Sequence, residues 1–140
     1  MEDICIAREI LEKEDLALVV VREGEVIYKS KDKGIKPMYI MAVEMKDKGK
    51  GASIADKVVG KGAALLCKYI GIVNVYGKLI SEGGIKVLEE SKIPFISDKT
   101  CSYIKNKDKT DLCPIEKMAI NLDDPNLFLE RLADFFKSIK

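Results

Sequence analysis

Gly49 to Ile70 reads GKGASIADKVVGKGAALLCKYI, and how this stretch folds decides the rest. A Gly-Lys-Gly turn runs into Ser53, and the spacing predicts a single helix from there to Ile70. Ala55, Val58, Val59, Gly62, Leu66 and Tyr69 fall on one face at helical spacing, with Ala63 and Ile70 beside it. Ala52, Ala55, Gly60, Gly62, Ala63 and Ala64 are small, so such a helix lies close against a sheet. Glycine inside a helix costs about 1 kcal/mol relative to alanine. Close backbone approach, to a sheet or to a ligand, is the usual compensation. Lys57, Lys61 and Lys68 cluster on the far face, and Asp56 sits at the edge of the apolar one.

Working outward, Ile4, Ala7, Ile10 and Leu11 predict an opening helix that fades by Lys13. Leu16 to Val21 is apolar and β-branched and reads as a buried central strand. A turn at Arg22 to Glu25 and a return strand from Val26 to Ser30 complete a hairpin. After the polar loop Lys31 to Lys36, Pro37 to Met45 predicts a short helix with Met38, Met41 and Met45 as a core-facing stripe. Downstream come a strand at Ile72 to Gly77, a helix from Ser81 to Ser91 and a short strand at Ile93 to Ile96. Asp98, Lys99 and Thr100 read as a polar loop, and Asn106 to Asp111 as a charged one. Cys113-Pro114 opens a short helix through Ile120, with proline at its first position. Asp124-Pro125 opens the last helix, whose apolar stripe runs through Leu127, Phe128, Leu132, Phe135, Phe136 and Ile139. Strands alternating with helices after a hairpin predict a single α/β domain over residues 1–140, a three-layer α/β/α sandwich around a mixed, partly parallel sheet.

The 24 basic and 23 acidic side chains nearly cancel, leaving a net charge of +1. That balance supplies no strong field toward nucleic acid or an acidic membrane, and neither is expected as a partner. The longest apolar run, Leu16 to Val21, is far too short to cross a bilayer. The opening MEDICIAREI lacks the basic and apolar regions of a signal peptide, so a cytoplasmic location is expected. The chain has no histidine, which excludes histidine triads, histidine acid–base chemistry and histidine metal ligation. Cys5, Cys67, Cys101 and Cys113 contain no C-x-x-C pair, so no metal and no cofactor is expected. Free thiols are the expectation, with a Cys101–Cys113 disulfide across a loop as the other option.

A hairpin followed by such a helix, strand and helix resembles the cytidine deaminase-like fold. The sequence itself resembles an uncharacterised prokaryotic family placed in that superfamily. The resemblance runs through Gly51-Ala52-Ser53-Ile54-Ala55-Asp56-Lys57-Val58-Val59-Gly60-Lys61, then Ser81-Glu82, then Cys113-Pro114-Ile115-Glu116. Zinc deaminases hold their metal with the His of an H-x-E pair and the cysteines of P-C-x-x-C, and the Glu shuttles protons. Here Ser53-Ile54-Ala55-Asp56 stands at the first position and Ser81-Glu82-Gly83-Gly84 at the second, so all three ligands are missing. The resemblance thus implies the fold and a cleft at two helix starts, without a zinc-hydroxide mechanism.

Several residues are candidates for that cleft. Ser53 and Asp56 have the S-x-x-[DE] spacing of a capping box, which explains both structurally; contact with a ligand at the same helix start is the other reading. Lys57 and Lys61, four apart, are either solvated surface or reach a phosphate or carboxylate beside the Gly49-Lys50-Gly51 turn. Ser81 and Glu82 read as an N-cap and a first-turn acid, or as ligand contacts. Cys113 precedes Pro114 at a helix start, a place that favours thiolate, with Glu116 one turn in; the other reading is an inert, buried thiol. Tyr76 is either an aromatic wall of the cleft or simple packing. Two functions follow. One is binding of a small, nucleotide-like molecule, or metal-independent catalysis with Cys113, Asp56 and Glu116 as the catalytic set. The other is a non-catalytic module that binds protein, including a second copy of itself, through stripes such as Met38, Met41 and Met45.

Overall fold

The computed structural model describes residues 2–105 and 111–138. Of the charged stretch Asn106 to Asp111 only Asp111 lies within them, and Ile139 lies outside. The elements run α1 (Asp3–Lys13), β1 (Leu18–Arg22), β2 (Glu25–Ser30), α2 (Lys36–Glu44), α3 (Lys46–Gly49), β3 (Ser53–Val59), α4 (Lys61–Ile70), β4 (Asn74–Ser81), α5 (Glu82–Glu90), β5 (Phe95–Cys101), α6 (Pro114–Ala119) and α7 (Pro125–Ser138). The five strands form one mixed sheet in the order β2-β1-β3-β4-β5. β1 is antiparallel to both neighbours, whereas β3, β4 and β5 run parallel.

Ser53 to Val59 corrects the expected long helix. It is the central strand β3, with Leu18 opposite Asp56 on one side and Gly77 opposite Asp56 on the other. The Ser53–Asp56 capping box therefore does not exist, and Lys57 and Lys61 share no helix face. Central position explains the outcome. Ile54 and Ala55 are fully buried on opposite faces of the sheet, so the period-2 alternation of a half-buried strand is erased and the run reads equally well at period 3.6. Gly60 breaks the chain, and only the part from Lys61 onward is helix. Asp98, Lys99 and Thr100 also correct the expected loop: they belong to β5, an edge strand whose outer side tolerates polar residues.

Alternation along the strands feeds two cores. Val19, Val21, Ala55 and Tyr76 pack with Ile4, Ala7 and Leu11 of α1. Leu18, Val20, Ile54 and Val75 pack with α2, α4, α5 and α7. Met38 and Met41 of the methionine stripe are fully buried there, as is Phe128 of α7, and Phe136 packs against the same core beside Tyr39 at 4.8 Å between ring centroids. Met38, Met41, Phe128 and Leu132 of these stripes are core, whereas Leu127 stays exposed. All four cysteines are free, so there is no Cys101–Cys113 disulfide.

α4 is the hub of the helical face, packed against α2, α5, α6 and α7. Its first turn needs Gly62, because a Cβ there would lie 2.5 Å from Phe128 Cζ and 3.2 Å from Ile115 Cγ2. The expected close approach at this glycine is real, and its partner is α7. Gly62→Ala is expected to destabilise the fold by about 1–2 kcal/mol, an overpacking cost less what alanine returns in a helix. Urea unfolding checks this, and Phe128→Leu in the same chain is expected to recover part of the loss.

Candidate functional site

Parallel strands of α/β sheets present ligands at their carboxyl ends. A cavity of about 380 Å3 opens there, where β3 passes into α4. Its floor is Asp56 to Val58, Gly60, Gly62 and Ala63. Ala17 before β1, the Lys33-Gly34-Ile35 loop before α2, and Ile104, Cys113, Ile115 and Glu116 around α6 supply the walls. Most of these side chains are apolar, and the volume suits a small organic molecule.

Asp56 is the polar group on the floor. It shares a strand face with Ile54 and is half-buried, its remaining exposure being to the cavity it lines. Asp56 Oδ1 accepts the Val58 N–H at 3.3 Å. Among the described residues no lysine or arginine forms an ion pair with it. Burial pushes its pKa up to about 7, against backbone hydrogen bonds from Val58 and Lys57 that favour the charged form. Cys67 of α4 is fully buried; burial first, then the charge of Asp56, pushes its thiol up and leaves it protonated and unreactive.

Glu116 holds the wall together. It is 5% exposed, yet both oxygens are used. Oε1 accepts the Lys61 N–H at 2.9 Å, and Oε2 accepts the Ile104 N–H at 2.5 Å. Lys61 is the first residue of α4, so this carboxylate occupies the place where a helix start would otherwise receive an anion. Gly60 makes the approach possible: a Cβ there would stand 2.9 Å from Glu116 Oε1. Cys113 is the N-cap of α6, but its side chain makes no capping hydrogen bond; its N–H donates to the Ile104 carbonyl at 2.9 Å. The thiol lies half-buried on the cavity wall.

A family model described as a domain of unknown function (DUF1893, TM1506) matches residues 6–136. The chain belongs to the DUF1893 family. Its fold is similar to the crystal structure of a DUF1893 family protein, TM1506, from Thermotoga maritima, with a TM-score of 0.86 and 28% identity over 94% of this chain and 88% of that one. No curated protein matches the sequence.

Of the residues singled out from sequence, this DUF1893 chain brings Asp56, Lys57, Cys113 and Glu116 to one cavity. The others lie elsewhere. Ser53 is buried at the opposite, amino end of β3. Ser81 caps α5, its Oγ accepting the Gly84 N–H at 3.1 Å, and Glu82 follows in the first turn. The Lys61 ammonium donates to the Ile120 carbonyl at 3.0 Å and pairs with Asp123 at 3.0 Å. Lys57 lines the cavity while its ammonium pairs with Asp15 at 2.8 Å. Of the two readings of Tyr76, packing holds: its ring is buried on the other face under α1, with Arg8 4.4 Å from its centroid and Asp98 Oδ2 accepting its O–H at 2.5 Å. Lys33, Ile35, Ile104 and Ile115 were missed. Only the glycine break after Val59, which marks the end of a strand, pointed toward their neighbourhood. Among the described residues no three His, Cys, Asp or Glu side chains gather as a metal site, and no helix is long and apolar enough to cross a membrane.

Asp56 makes stability depend on pH in a definite direction. Its carboxyl rises from the ordinary 3.8 to about 7 on folding. Between those values the folded chain binds more protons than the unfolded one, so stability falls as pH rises through the window and stays reduced above it. Asp56→Asn is expected to flatten this slope and to melt higher than the parent chain at pH 8, as read by calorimetry from pH 4 to 8. Glu116→Gln is expected to cost about 1–3 kcal/mol in urea unfolding, since its amide turns a donor toward a backbone N–H.

Proposed function

We propose that this chain binds a small organic molecule in the cavity at the carboxyl end of β3, with Asp56 as its polar anchor and the Cys113 thiol beside it. One observation carries the reading: a half-buried carboxyl group with no ion-pair partner among the described residues, set in a mostly apolar cavity. Leaving such a group without a partner costs stability, and functional sites are where that cost is retained. Cys113 is the nucleophile in this proposal, and Glu116 is a positioning residue that fixes the wall and the start of α4.

The cytidine deaminase-like reading belongs to the same proposal. The hairpin β1–β2, followed by the α4, β4, α5, β5 succession, supports it. So does the placement of α1 against one face of the sheet and the remaining core helices against the other, as a three-layer sandwich requires. A nucleotide-like ring is the ligand class suggested by that analogy. The self-associating module draws less support, because Met38, Met41 and Phe128 are spent on the core.

Alkylation of the cysteines, followed site by site by mass spectrometry with a panel of nucleobases, nucleosides and aromatic amines, tests the proposal. A bound compound is expected to slow Cys113 while leaving the exposed Cys5 unchanged, and to raise stability by about 2.7 kcal/mol at a hundredfold excess over Kd. If Cys113 reacts at one rate with every compound and the melting temperature never moves, the cavity is not a binding site for such molecules.

A further inference from the structure

We infer that the cavity selects a phosphate-free ring compound carrying a cationic or N–H-donating group, such as an aryl amidine or aryl amine, and rejects anions; this rests on the cavity being a binding site. The argument is a charge census of its walls. Two carboxyl groups, Asp56 and Glu116, line it. Two lysines line it as well, but Lys57 is already paired with Asp15 at 2.8 Å, and Lys33 is exposed on the loop before α2. The feature that usually draws phosphate, the start of a helix following a strand, is blocked. Glu116 Oε1 sits on the Lys61 N–H at 2.9 Å, and the Lys61 ammonium turns away to Ile120 and Asp123. An entering anion would meet two acids, apolar walls, one lysine already paired with Asp15 and one exposed on its loop, a poor return for its desolvation. A cation or an N–H donor would meet the open side of Asp56, while Ile35, Val58 and Ile115 cover its apolar body.

The groups that face Asp56 set the pH response. They are Cys67 from α4, Cys113 and Glu116 from the α6 segment, Lys33 from the loop, and Lys57 on its own strand. Cys67 stays protonated, its thiol pushed up by burial, so the response between pH 5 and 8 is assigned to the Asp56 carboxyl. Affinity for a permanent cation is expected to rise across that range as Asp56 ionises.

Calorimetric titration of the full chain with benzamidine, benzyl alcohol, benzoate and phenyl phosphate at pH 5 and pH 8 is the test. Benzamidine is expected to bind at least tenfold more tightly than benzoate or phenyl phosphate at pH 8, and to weaken at pH 5. Asp56→Asn is expected to weaken benzamidine at least tenfold while leaving benzyl alcohol within about threefold. Phenyl phosphate or benzoate binding more tightly than benzamidine, with Cys113 protected, would overturn the charge selection and leave the binding site standing. Benzamidine binding that ignores both Asp56→Asn and pH overturns it too. If no probe binds and none protects Cys113, the binding site itself is lost, and the selection with it.

Discussion

The carboxylate of Glu116 is the interaction on which the site depends. It reaches from α6 across the end of the central strand and ties together two backbone N–H groups far apart in sequence, those of Lys61 and Ile104. Charged acceptors form stronger hydrogen bonds than neutral ones, and burial strengthens them further. One such group therefore fixes the start of α4, the segment after β5 and the α6 wall relative to each other. It also sets the electrostatic character of the cavity. A helix start normally offers positive potential to whatever lies before it, but here the protein supplies the negative partner itself.

The two faces of the sheet solve different problems. Under α1 the buried ring of Tyr76 ends in a polar cluster, with its hydroxyl on Asp98, Arg8 stacked over the ring, and Arg8 within 3.5 Å of both Glu12 and Asp98. Tyr76, Arg8, Glu12 and Asp98 each find a partner there, so this face ties the first helix to β4 and the edge strand β5. The helical face leaves one acid without such closure. Asp56 lies one residue along the strand from the tightly packed Ala55, yet its carboxyl group meets a void. A closed polar cluster on β4 and β5 thus stands on one face of the sheet, and a half-satisfied acid on β3 stands on the other.

Much of this was legible in the sequence where one signal dominated. Proline at the first turn marks α2, α6 and α7; the β-branched run from Val19 to Val21 marks a buried strand; Ser81 marks a helix start. The central strand was misread because burial on both faces erases alternation, and small residues at Ala52, Ala55, Gly60 and Gly62 imitate a helix face. Family resemblance reinforced the error by placing Ser53 and Asp56 at a helix start. Asp56, Cys113 and Glu116 were still found, because each is an unusual residue for its local surroundings. Lys33, Ile35 and Ile104 carry no such local mark: they become cavity walls only where segments distant in sequence meet, as Ile104 does beside Gly60, which no window of sequence displays.

Phe128 pressing into the gap at Gly62 has an implication for how the chain is made. The floor of the cavity comes from β3 and the first turn of α4, but its far wall comes from Ile104 to Glu116, and the helix that holds Gly62 in place comes from α7. A ribosome delivers these parts in order, floor first and clamp last. During synthesis the sheet and α4 can pair while Asp56 is still bathed in water, with an ordinary carboxyl acidity and no enclosing pocket. The acid becomes shielded only when the wall from Ile104 to Glu116 has followed. The cavity thus closes later than the sheet that carries its floor, and Asp56 acquires its buried surroundings only at that stage.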